Sequence, residues 1–331
     1  MILSRTPFRL PLGGGGTDLP SYYKKYGGFL ITAAVNRYMF IQVNQPAIVD
    51  KIKINYSKVE IVDTDKVESI KHEIVRECLR YLDLHSPLEI GSMADLAAGT
   101  GMGSSSSYTV GLLNGLNAMI RRHISTHELA EEACKVEIDL IGKPIGKQDQ
   151  YAAAYGGIML LEINRLGEVK VTPLNLDHEI VYEMENRLMM FYTNIERDAN
   201  VILGEQSKKV EVSEESATNS MHHIKEIGKK VKAALEKGDV TKFGELMHEH
   251  WEEKKKVSTK MSDPKIDHWY EVGLRNGALG GKIMGAGGGG FFLFCSNNGK
   301  RRQLRAAMEA EGLRYMDFRF DWEGSKVLIN I

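Results

Sequence analysis

Three glycines and four serines between residues 99 and 107 have the composition of a phosphate-binding loop. Gly99, Gly101 and Gly103 allow the backbone to curl and to approach a ligand closely. Residues 108–120 then carry regularly placed apolar side chains and no proline, so the serines lie where a helix begins. A helix N-terminus presents unpaired N–H groups and a positive dipole end to an anion. A flexible Gly/Ser linker is the alternative, but such linkers do not usually run directly into an apolar helix.

Two common nucleotide-binding motifs are excluded. A Walker loop needs a Gly-Lys pair followed by Ser or Thr, and no Gly-Lys pair in the sequence has that neighbour. The spacing Gly-x-Gly-x-x-Gly occurs at Gly285, Gly287 and Gly290. Residues 291–295 follow it with the composition of a buried strand, whereas a dinucleotide fingerprint must be followed by a helix.

Two carboxylates are candidates for chemistry. Glu137 lies between two apolar residues of a predicted helix and could be either a solvated or a functional residue. Asp149 lies in a glycine-containing stretch that precedes small residues, where an ordinary turn or helix-cap role is equally plausible. Local sequence alone does not choose between these interpretations.

A second glycine-rich stretch begins the chain. Arg5 and Arg9 fall on one face of a predicted first strand by alternation, and four glycines at residues 13–16 follow. Thr17 and Asp18 then close the loop. A cation and a carboxylate beside bare backbone suit the binding of a polyhydroxylated or phosphorylated small molecule, although four glycines could also form a simple turn.

The elements that must position these residues follow from hydrophobic periodicity. A near capping-box pattern at residues 125–128 begins one of the helices. At 331 residues two domains are expected, 1–180 and 181–331. The predicted strands are 1–12, two strands within 28–44 joined by a turn near Asn36, 88–93, 158–163, 169–174, 188–192, 291–295 and 325–331, and the predicted helices are 65–82, 108–120, 126–142, 201–210, 214–237, 239–258 and 299–311.

Composition excludes several classes of protein. A net charge of -1 gives no reason to expect nucleic acid or an anionic membrane as partner, and the apolar fraction of 43% is that of a globular protein. No apolar run could span a bilayer and no signal-peptide core is present, so the prediction is a cytoplasmic protein. The cysteines, Cys78, Cys134 and Cys295, are interpreted as reduced core residues. The run 254–256 is interpreted as a solvated helix surface, and the histidines at 222, 223, 248 and 250 as structural.

Three glycine-rich loops in this order resemble the three motifs of the galactokinase, homoserine kinase, mevalonate kinase and phosphomevalonate kinase (GHMP) superfamily. The motifs are residues 5–18, 99–107 and 282–290, so the resemblance spans nearly the whole chain. Within the superfamily, the sequence at residues 13–20 followed by Tyr26-Gly27-Gly28 looks most like the D-glycero-α-D-manno-heptose 7-phosphate kinases of bacterial surface-sugar synthesis. Related fucokinase-type enzymes share part of this signature.

The resemblance implies an α+β, two-domain GHMP kinase fold. Its N-terminal domain would contain a left-handed βαβ crossover, its C-terminal domain would be ferredoxin-like, and the active site would lie between them. It also implies ATP as phosphoryl donor and Mg²⁺ as cofactor. By the same match, Asp149 and Arg9 are catalytic, and Ser105 and Glu137 hold Mg²⁺, with Ser104 as the alternative serine. The residues that would contact the ATP phosphates are Gly99, Gly101, Gly103, Ser104, Ser105, Ser106, Gly287 and Gly288, and those that would bind the sugar are Arg5, Gly15, Gly16, Thr17 and Asp18.

That assignment is chemically coherent. Phosphoryl transfer needs positioning and charge neutralisation more than covalent work by the protein. Asp149 can orient the attacking hydroxyl and accept its proton, while Arg9 keeps that carboxylate ionised. An anomeric hydroxyl is more acidic than an ordinary alcohol, so a modest base suffices.

One departure from the superfamily bears on the substrate. Galactokinases carry Glu-His where this chain has Gly15 and Gly16, which removes a sugar-binding carboxylate and argues against galactose. The resulting hypothesis is an ATP-dependent sugar-1-kinase acting on a heptose 7-phosphate. The cationic residues that would hold the 7-phosphate are left open among Arg5, Lys24, Lys25 and Arg197.

Three alternatives stay open at the level of sequence. The first is a fucose-type or other free-sugar kinase, and the second is a catalytically silent sugar sensor, against which Glu137, Asp149 and Arg9 argue. The third is a structural or nucleic-acid-binding protein, which has only the run 254–256 in its favour. The expected partners are therefore ATP and a small-molecule sugar, with no nucleic acid and no membrane, and the oligomeric state is left open.

Overall fold

The computed structural model describes residues 1–195, 199–211, 215–258 and 261–331. Within them the strands are β1 Ile2–Gly13, β2 Gly28–Asn44, β3 Lys51–Asn55, β4 Val59–Asp63, β5 Leu88–Ala94, β6 Ile158–Ile163, β7 Val169–Pro173, β8 Leu188–Tyr192, β9 Ala278–Ile283, β10 Phe291–Ser296, β11 Arg314–Met316 and β12 Lys326–Asn330. The α-helices are α1 Pro20–Tyr26, α2 Glu73–Tyr81, α3 Ser104–Met119, α4 Thr126–Cys134, α5 Gln148–Tyr155, α6 His178–Arg187, α7 Ala199–Glu211, α8 Glu215–Glu236, α9 Val240–Val257, α10 Pro264–Arg275 and α11 Arg301–Ala310.

The large sheet has the strand order β12-β1-β2-β5-β3-β4. In addition, β6 pairs with residues 28–33 of β2, and β7 pairs with β6. Its neighbouring strands are antiparallel except β3 and β5, which are parallel and are joined through β4 and α2. The last strand returns to pair with β1, so the chain ends in the sheet in which it began. The domain division at residue 180 stays a prediction.

The smaller sheet is antiparallel throughout, with the order β11-β8-β10-β9. Its strands follow along the chain as β8, β9, β10 and β11, which gives the 4-1-3-2 order of a ferredoxin-like sheet. An aromatic cluster that includes Phe191, Trp251, Phe292 and Phe294 forms its core.

Helix α3 lies directly on the large sheet. It contacts both β1 and β2, and most of its side chains are buried. A Cβ on Gly111 would come within 2.8 Å of Thr6 Oγ1, and the Ser4 hydroxyl donates to the Gly111 carbonyl at 2.8 Å. Glycine thus allows the middle of α3 to pack closely against β1.

The prediction of two strands within 28–44 is wrong, because β2 is a single strand of 17 residues. The pairing with β1 shifts between Pro7↔Tyr38 and Phe8↔Val35, which leaves two extra residues on β2. The polar signal at Asn36 therefore marks a β-bulge, where its N–H bonds the Arg319 carbonyl, and does not mark a turn.

Two predicted helices are also corrected. The segment 65–82 contains a 3₁₀ turn, Val67–Ser69, and then α2, which His72 caps by accepting a hydrogen bond from the Val75 N–H. The segment 126–142 begins with the capping box formed by Ser125 and Glu128, but it continues beyond α4 as a π-helix, Lys135–Leu140.

The other predicted elements are confirmed, with ends shifted by a few residues. The three cysteines are free and buried, as expected of core residues. No helix among the described residues is long and apolar enough to cross a membrane.

Candidate active site

The three glycine-rich loops line one cleft with a cavity volume of about 400 Å³. The predicted site residues that line it are Arg9, Gly15, Gly16, Asp18, Gly99, Gly101, Gly103, Ser104, Ser105, Ser106, Asp149 and Gly287. Three segments more than 80 residues apart in sequence therefore come together in one cleft, as the resemblance to the superfamily implies.

The serine loop leads into α3 as expected of an anion-binding helix start. Gly103 adopts a left-handed conformation (φ 79°) immediately before the helix, which a residue with a side chain rarely adopts. Ser107 donates its hydroxyl to the Pro7 carbonyl at 2.8 Å, which ties this first turn to β1. Ser104, Ser105 and Ser106 line the cleft beside the free N–H groups of the first turn.

Glu137 lies within the π-helix, and its side chain is fully buried. Its Oε1 accepts a hydrogen bond from the Ser105 hydroxyl at 2.5 Å, and its Oε2 accepts one from Gln150 Nε2 at 2.8 Å. Lys143 Nζ lies 2.6 Å from Ser105 Oγ and 3.0 Å from Glu137 Oε1. The ammonium group of Lys143 thus contacts both oxygens of the hydrogen-bonded pair of Ser105 and Glu137, so this position accommodates a cation.

The oxygen set of Ser105 and Glu137 suits Mg²⁺, which takes few protein ligands and keeps several waters. Among the described residues no group of three or more His, Cys, Asp or Glu side chains is arranged to hold a metal. A metal at Ser105 and Glu137 would therefore complete its coordination with water and nucleotide phosphate.

Arg9 and Asp149 form a bidentate ion pair at the centre of the cleft. Arg9 Nε donates to Asp149 Oδ1 at 2.6 Å and Nη2 donates to Oδ2 at 2.8 Å. The remaining guanidinium nitrogen, Nη1, donates to the Gly101 carbonyl at 2.5 Å. The planar fork of arginine fits this arrangement, so Arg9 connects the carboxylate to the serine loop.

Asp18 is held by backbone donors on the other side of the cleft. Its Oδ1 accepts from the Gly16 N–H at 3.2 Å and its Oδ2 from the Gln148 N–H at 3.0 Å. Burial raises the pKa of Asp18 above its usual value, partly offset by these hydrogen bonds, while Asp149 raises it further. A Cβ on Gly146 would overlap the Asp18 carboxylate, so glycine is required there.

The first turn of α5 organises all of these contacts. Three consecutive residues reach three different partners: Gln148 N–H binds Asp18, Asp149 binds Arg9, and Gln150 binds Glu137. Asp149 therefore lies in the first turn of a helix whose N-cap is Lys147, and is itself neither a turn residue nor a helix cap.

The glycine-rich loops at residues 99–107 and 282–290 are in direct backbone contact. A Cβ on Gly101 would lie 2.6 Å from the Met284 carbonyl oxygen, and one on Gly290 would overlap the Thr100 carbonyl. Both glycines have positive φ angles, 79° and 85°. The backbone of residues 284–290 is therefore packed directly against the serine loop at residues 99–107.

Replacing Gly290 by alanine is expected to displace the phosphate-binding loop and weaken ATP binding roughly tenfold, because the new methyl group would collide with Thr100. Gly312 is a matched control, since its φ of 84° is nearly the same but a Cβ there would have no described atom within 4 Å. Gly312→Ala should therefore lower the free energy of unfolding by a similar strain term, about 1–2 kcal/mol, without changing ATP affinity. Titration calorimetry with ATP separates the two variants, and equal ATP affinities would contradict the proposed loop contact.

Several predicted residues lie outside the cleft lining. Arg5 pairs with Glu323 at 2.5 Å and packs over the Tyr38 ring. Thr17 is buried and its hydroxyl donates to the carbonyls of Gly14 and Phe29, which closes the loop. Gly288 donates its N–H to the Met261 carbonyl. The structure does not bring Arg5, Thr17 or Gly288 to the cavity wall.

The other candidates for holding a substrate phosphate were Lys24, Lys25 and Arg197. Lys24 and Lys25 lie in the last turn of α1 and do not line the cleft. Arg197 lies outside the described residues.

Four basic residues that line the cleft were not among the predicted site residues: Lys143, His250, Lys254 and Lys282. The interpretation of 254–256 as a solvated surface is wrong for Lys254, whose side chain is buried and points into the cleft. Lys255 and Lys256 do pair with acidic neighbours on the same helix. Lys254 and His250 are four residues apart on α9, a spacing that could have suggested a common face.

Comparison with known proteins identifies the family. Residues 70–157 match the family described as GHMP kinases N terminal domain, and residues 231–313 match the GHMP kinases C terminal family. The D-glycero-alpha-D-manno-heptose 7-phosphate kinase of Campylobacter jejuni is 32% identical over 98% of this chain and 98% of its own length. This chain belongs to the GHMP kinase family.

Solved structures agree with that assignment. A structure described as a D-glycero-D-manno-heptose 1-phosphate kinase from Bacteroides thetaiotaomicron superposes with a TM-score of 0.83, at 26% identity and full coverage of both chains. A putative sugar kinase from Campylobacter jejuni gives a TM-score of 0.77 at 27% identity, over 98% of this chain and 97% of that one. This GHMP kinase has the two-domain fold of the family and is an ATP-dependent sugar kinase.

Proposed function

We propose that this GHMP kinase transfers the γ-phosphoryl group of ATP to the anomeric hydroxyl of a heptose 7-phosphate. The observation that carries the proposal is the full-length similarity to a heptose 7-phosphate kinase. The pair of glycines at 15 and 16 beside Asp18 supports it, because these residues leave open space and one carboxylate for sugar hydroxyls. The product would be a 1,7-bisphosphate, an intermediate suited to nucleotide-activated heptose synthesis.

The assigned roles follow the contacts in the cleft. The N–H groups at the start of α3, with Gly99, Gly101 and Gly103, would hold the ATP phosphates. Ser105 and Glu137 would hold Mg²⁺, which when bound neutralises phosphate charge. Lys143, whose ammonium group now contacts both of these side chains, would be free to contact a phosphate once a divalent ion takes its place.

The chemical step would be performed around Asp149. One of its carboxylate oxygens would accept the proton of the anomeric hydroxyl while the sugar oxygen forms its bond to phosphorus. The bond between the γ-phosphorus and the bridging oxygen breaks at the same time, and ADP leaves. Arg9 positions the carboxylate and places positive charge near the transferred group.

A substrate panel tests this function. We expect heptose 7-phosphate to be turned over with a kcat/KM at least roughly 100-fold above that of unphosphorylated heptose, since charge-assisted contacts to a phosphate would be lost in the free sugar. Phosphorus NMR of the product should show a new phosphate at the anomeric carbon.

The alternative outcomes discriminate among the remaining functions. Comparable turnover of free heptose or fucose would support a free-sugar kinase, in line with the 24% identity to an L-fucokinase/L-fucose-1-P guanylyltransferase of Bacteroides fragilis. Turnover of a heptose 1-phosphate, the substrate named for the Bacteroides thetaiotaomicron structure, would move the acceptor hydroxyl to another carbon. Absence of turnover with every sugar would contradict the proposal.

A further inference from the structure

A buried group of basic residues lies at one wall of the cleft and has no role in the chemistry described above. His250 and Lys254 lie one turn apart on α9, and Lys282 lies on β9. Only 2%, 8% and 1% of their respective surfaces are exposed, yet all three line the cavity. We call His250, Lys254 and Lys282 the basic wall.

The packing of α9 against β9 brings these side chains together. Gly280 is in direct contact with the helix, since a Cβ there would overlap the Gly244 carbonyl and lie 2.6 Å from the His248 N–H. A residue with a side chain at position 280 would hold the helix away from the strand. The absence of a Cβ therefore lets the two lysines and the histidine share one small volume.

The hydrogen-bonding capacity of the basic wall is largely unused. Lys254 Nζ donates to the Gly285 carbonyl at 2.5 Å and Lys282 Nζ to the Leu12 carbonyl at 3.3 Å. An ammonium group has three N–H donors, so each lysine retains donors beyond these bonds. Neither ring nitrogen of His250 has a hydrogen-bond partner within the described part of the chain.

The positive charge of the basic wall is also not balanced by ion pairs within the described part of the chain. Among the described residues neither Lys254 nor Lys282 takes part in an ion pair, and buried charges are normally paired. Burial and, to a smaller extent, Arg9 lower the pKa of Lys254 to about 8, with Asp18 opposing the change. Burial, Lys254 and Arg9 likewise bring the pKa of Lys282 well below its usual value, and burial with both lysines does so for His250. An anion in the cleft would relieve this mutual repulsion and accept the free N–H groups.

The basic wall lies on the acceptor side of the cleft. The carbonyl that Lys282 contacts belongs to Leu12, which leads into the glycine loop at residues 13–16. Lys254 interacts electrostatically with Asp18, the carboxylate assigned to sugar hydroxyls. The proposed function assigns the ATP phosphates to the N–H groups at the start of α3, which leaves the basic wall without a part in binding them.

We propose that the basic wall of His250, Lys254 and Lys282 binds the phosphate group that the sugar acceptor already carries, and so selects phosphorylated sugars. This inference rests on the proposed function, and it replaces Lys24 and Lys25 as the source of the phosphate-binding charge. A phosphate dianion offers several acceptor oxygens to two ammonium groups and one imidazole N–H, all in a water-poor site where such bonds are strong.

Removing one charge tests the proposal. Lys254→Met keeps most of the side-chain volume, and it should lower kcat/KM for heptose 7-phosphate about 10- to 100-fold while leaving that for unphosphorylated heptose and the KM for ATP nearly unchanged. Lys255→Met is the matched control, because Lys255 is the next residue on the same helix and pairs with Glu252 outside the cleft. Equal losses with both acceptors, or a raised KM for ATP, would assign Lys254 to the donor phosphates and overturn the proposal.

Direct binding separates this proposal from the proposed function. Titration calorimetry with mannose 6-phosphate and with inorganic phosphate should show binding to the wild type and to Lys255→Met, and about 10- to 100-fold weaker binding to Lys254→Met. Such a result would support the basic wall even if heptose 7-phosphate were not turned over. Failure of the wild type to bind either probe, in an enzyme that does phosphorylate heptose 7-phosphate, would refute the basic wall alone.

The pH dependence of phosphate binding gives an independent readout. Lys254 has its pKa lowered to about 8, so it loses its proton as the pH rises through 8, and Kd for the phosphate should then increase about tenfold per pH unit. The groups that face it are Arg9, Asp18, His250 and Lys282, and Asp18 alone among them adds negative charge. The Lys254→Met variant should lack this change near pH 8; its persistence would contradict the assignment to Lys254.

Discussion

Asp149→Asn is expected to lower kcat about 1000-fold while the Kd for ATP changes by no more than about threefold. Asparagine has the same shape and can still accept one hydrogen bond from Arg9, but it cannot take the proton of the attacking hydroxyl. Single-turnover kinetics with saturating ATP and sugar, together with calorimetric ATP binding, measure the two quantities separately. Asp139→Asn serves as the control, because Asp139 is an exposed aspartate in the π-helix Lys135–Leu140. This variant should leave kcat and the Kd for ATP unchanged.

The bidentate contact with Arg9 raises a second interpretation of Asp149, namely that it acts only by positioning the guanidinium. Arg9→Met alone, Asp149→Asn alone and the double variant distinguish these roles. If the two residues act as one unit, the double variant should be no slower than the slower single variant. A kcat for Asp149→Asn within about tenfold of the wild type would rule out the assignment of Asp149 as general base.

The parts of this site that are local in sequence could be predicted. The serine loop and α3 follow from glycines, hydroxyls and a continuous apolar segment, all within residues 96–120. The order of the three glycine loops supplied the superfamily, and with it the fold and the pairing of Ser105 with Glu137. The serine loop and α3 needed no knowledge of distant contacts, whereas the pairing of Ser105 with Glu137 came only from the resemblance.

The wrong predictions concern side chains whose position along an element, or whose burial, depends on how the elements pack together. Arg5 and Arg9 share a face of β1 by alternation, but four residues of strand separate them by about 13 Å. One therefore reaches the cleft and the other reaches Glu323. Strand periodicity predicts the face of a side chain but not its position along the strand.

Lys254 could not be recognised for a different reason. Its charged neighbours at 252, 253, 255 and 256 have the composition of an exposed helix, and its four-residue spacing from His250 indicates a shared face but not burial. Its burial depends on the packing of α9 against glycine-containing β9, more than twenty residues later. The three contacts of residues 148–150 likewise involve positions 18, 9 and 137, which no spacing rule connects.

Glu137→Gln is expected to lower kcat/KM for ATP about 100-fold or more at a fixed Mg²⁺ concentration, and to raise the Mg²⁺ concentration needed for half-maximal activity. Glutamine retains the size of the side chain but removes the only carboxylate beside Ser105 among the residues that the structure describes. The measurement is a Mg²⁺ titration of the initial rate at saturating ATP and sugar, with calorimetric binding of ATP in the presence and absence of Mg²⁺.

Glu132→Gln provides a matched control on the preceding turn. Glu132 is also buried, but it pairs with Arg122 and accepts a hydrogen bond from Asn117, away from the cleft. Its replacement should lower the free energy of unfolding, because the charge-assisted hydrogen bond between Arg122 and Glu132 is lost, and should leave the Mg²⁺ requirement unchanged. The two glutamates thus separate a structural carboxylate from a metal-binding one. An unchanged Mg²⁺ requirement in Glu137→Gln would instead mean that the carboxylate serves only to hold Lys143, whose ammonium group would then be the cation that acts on the phosphates.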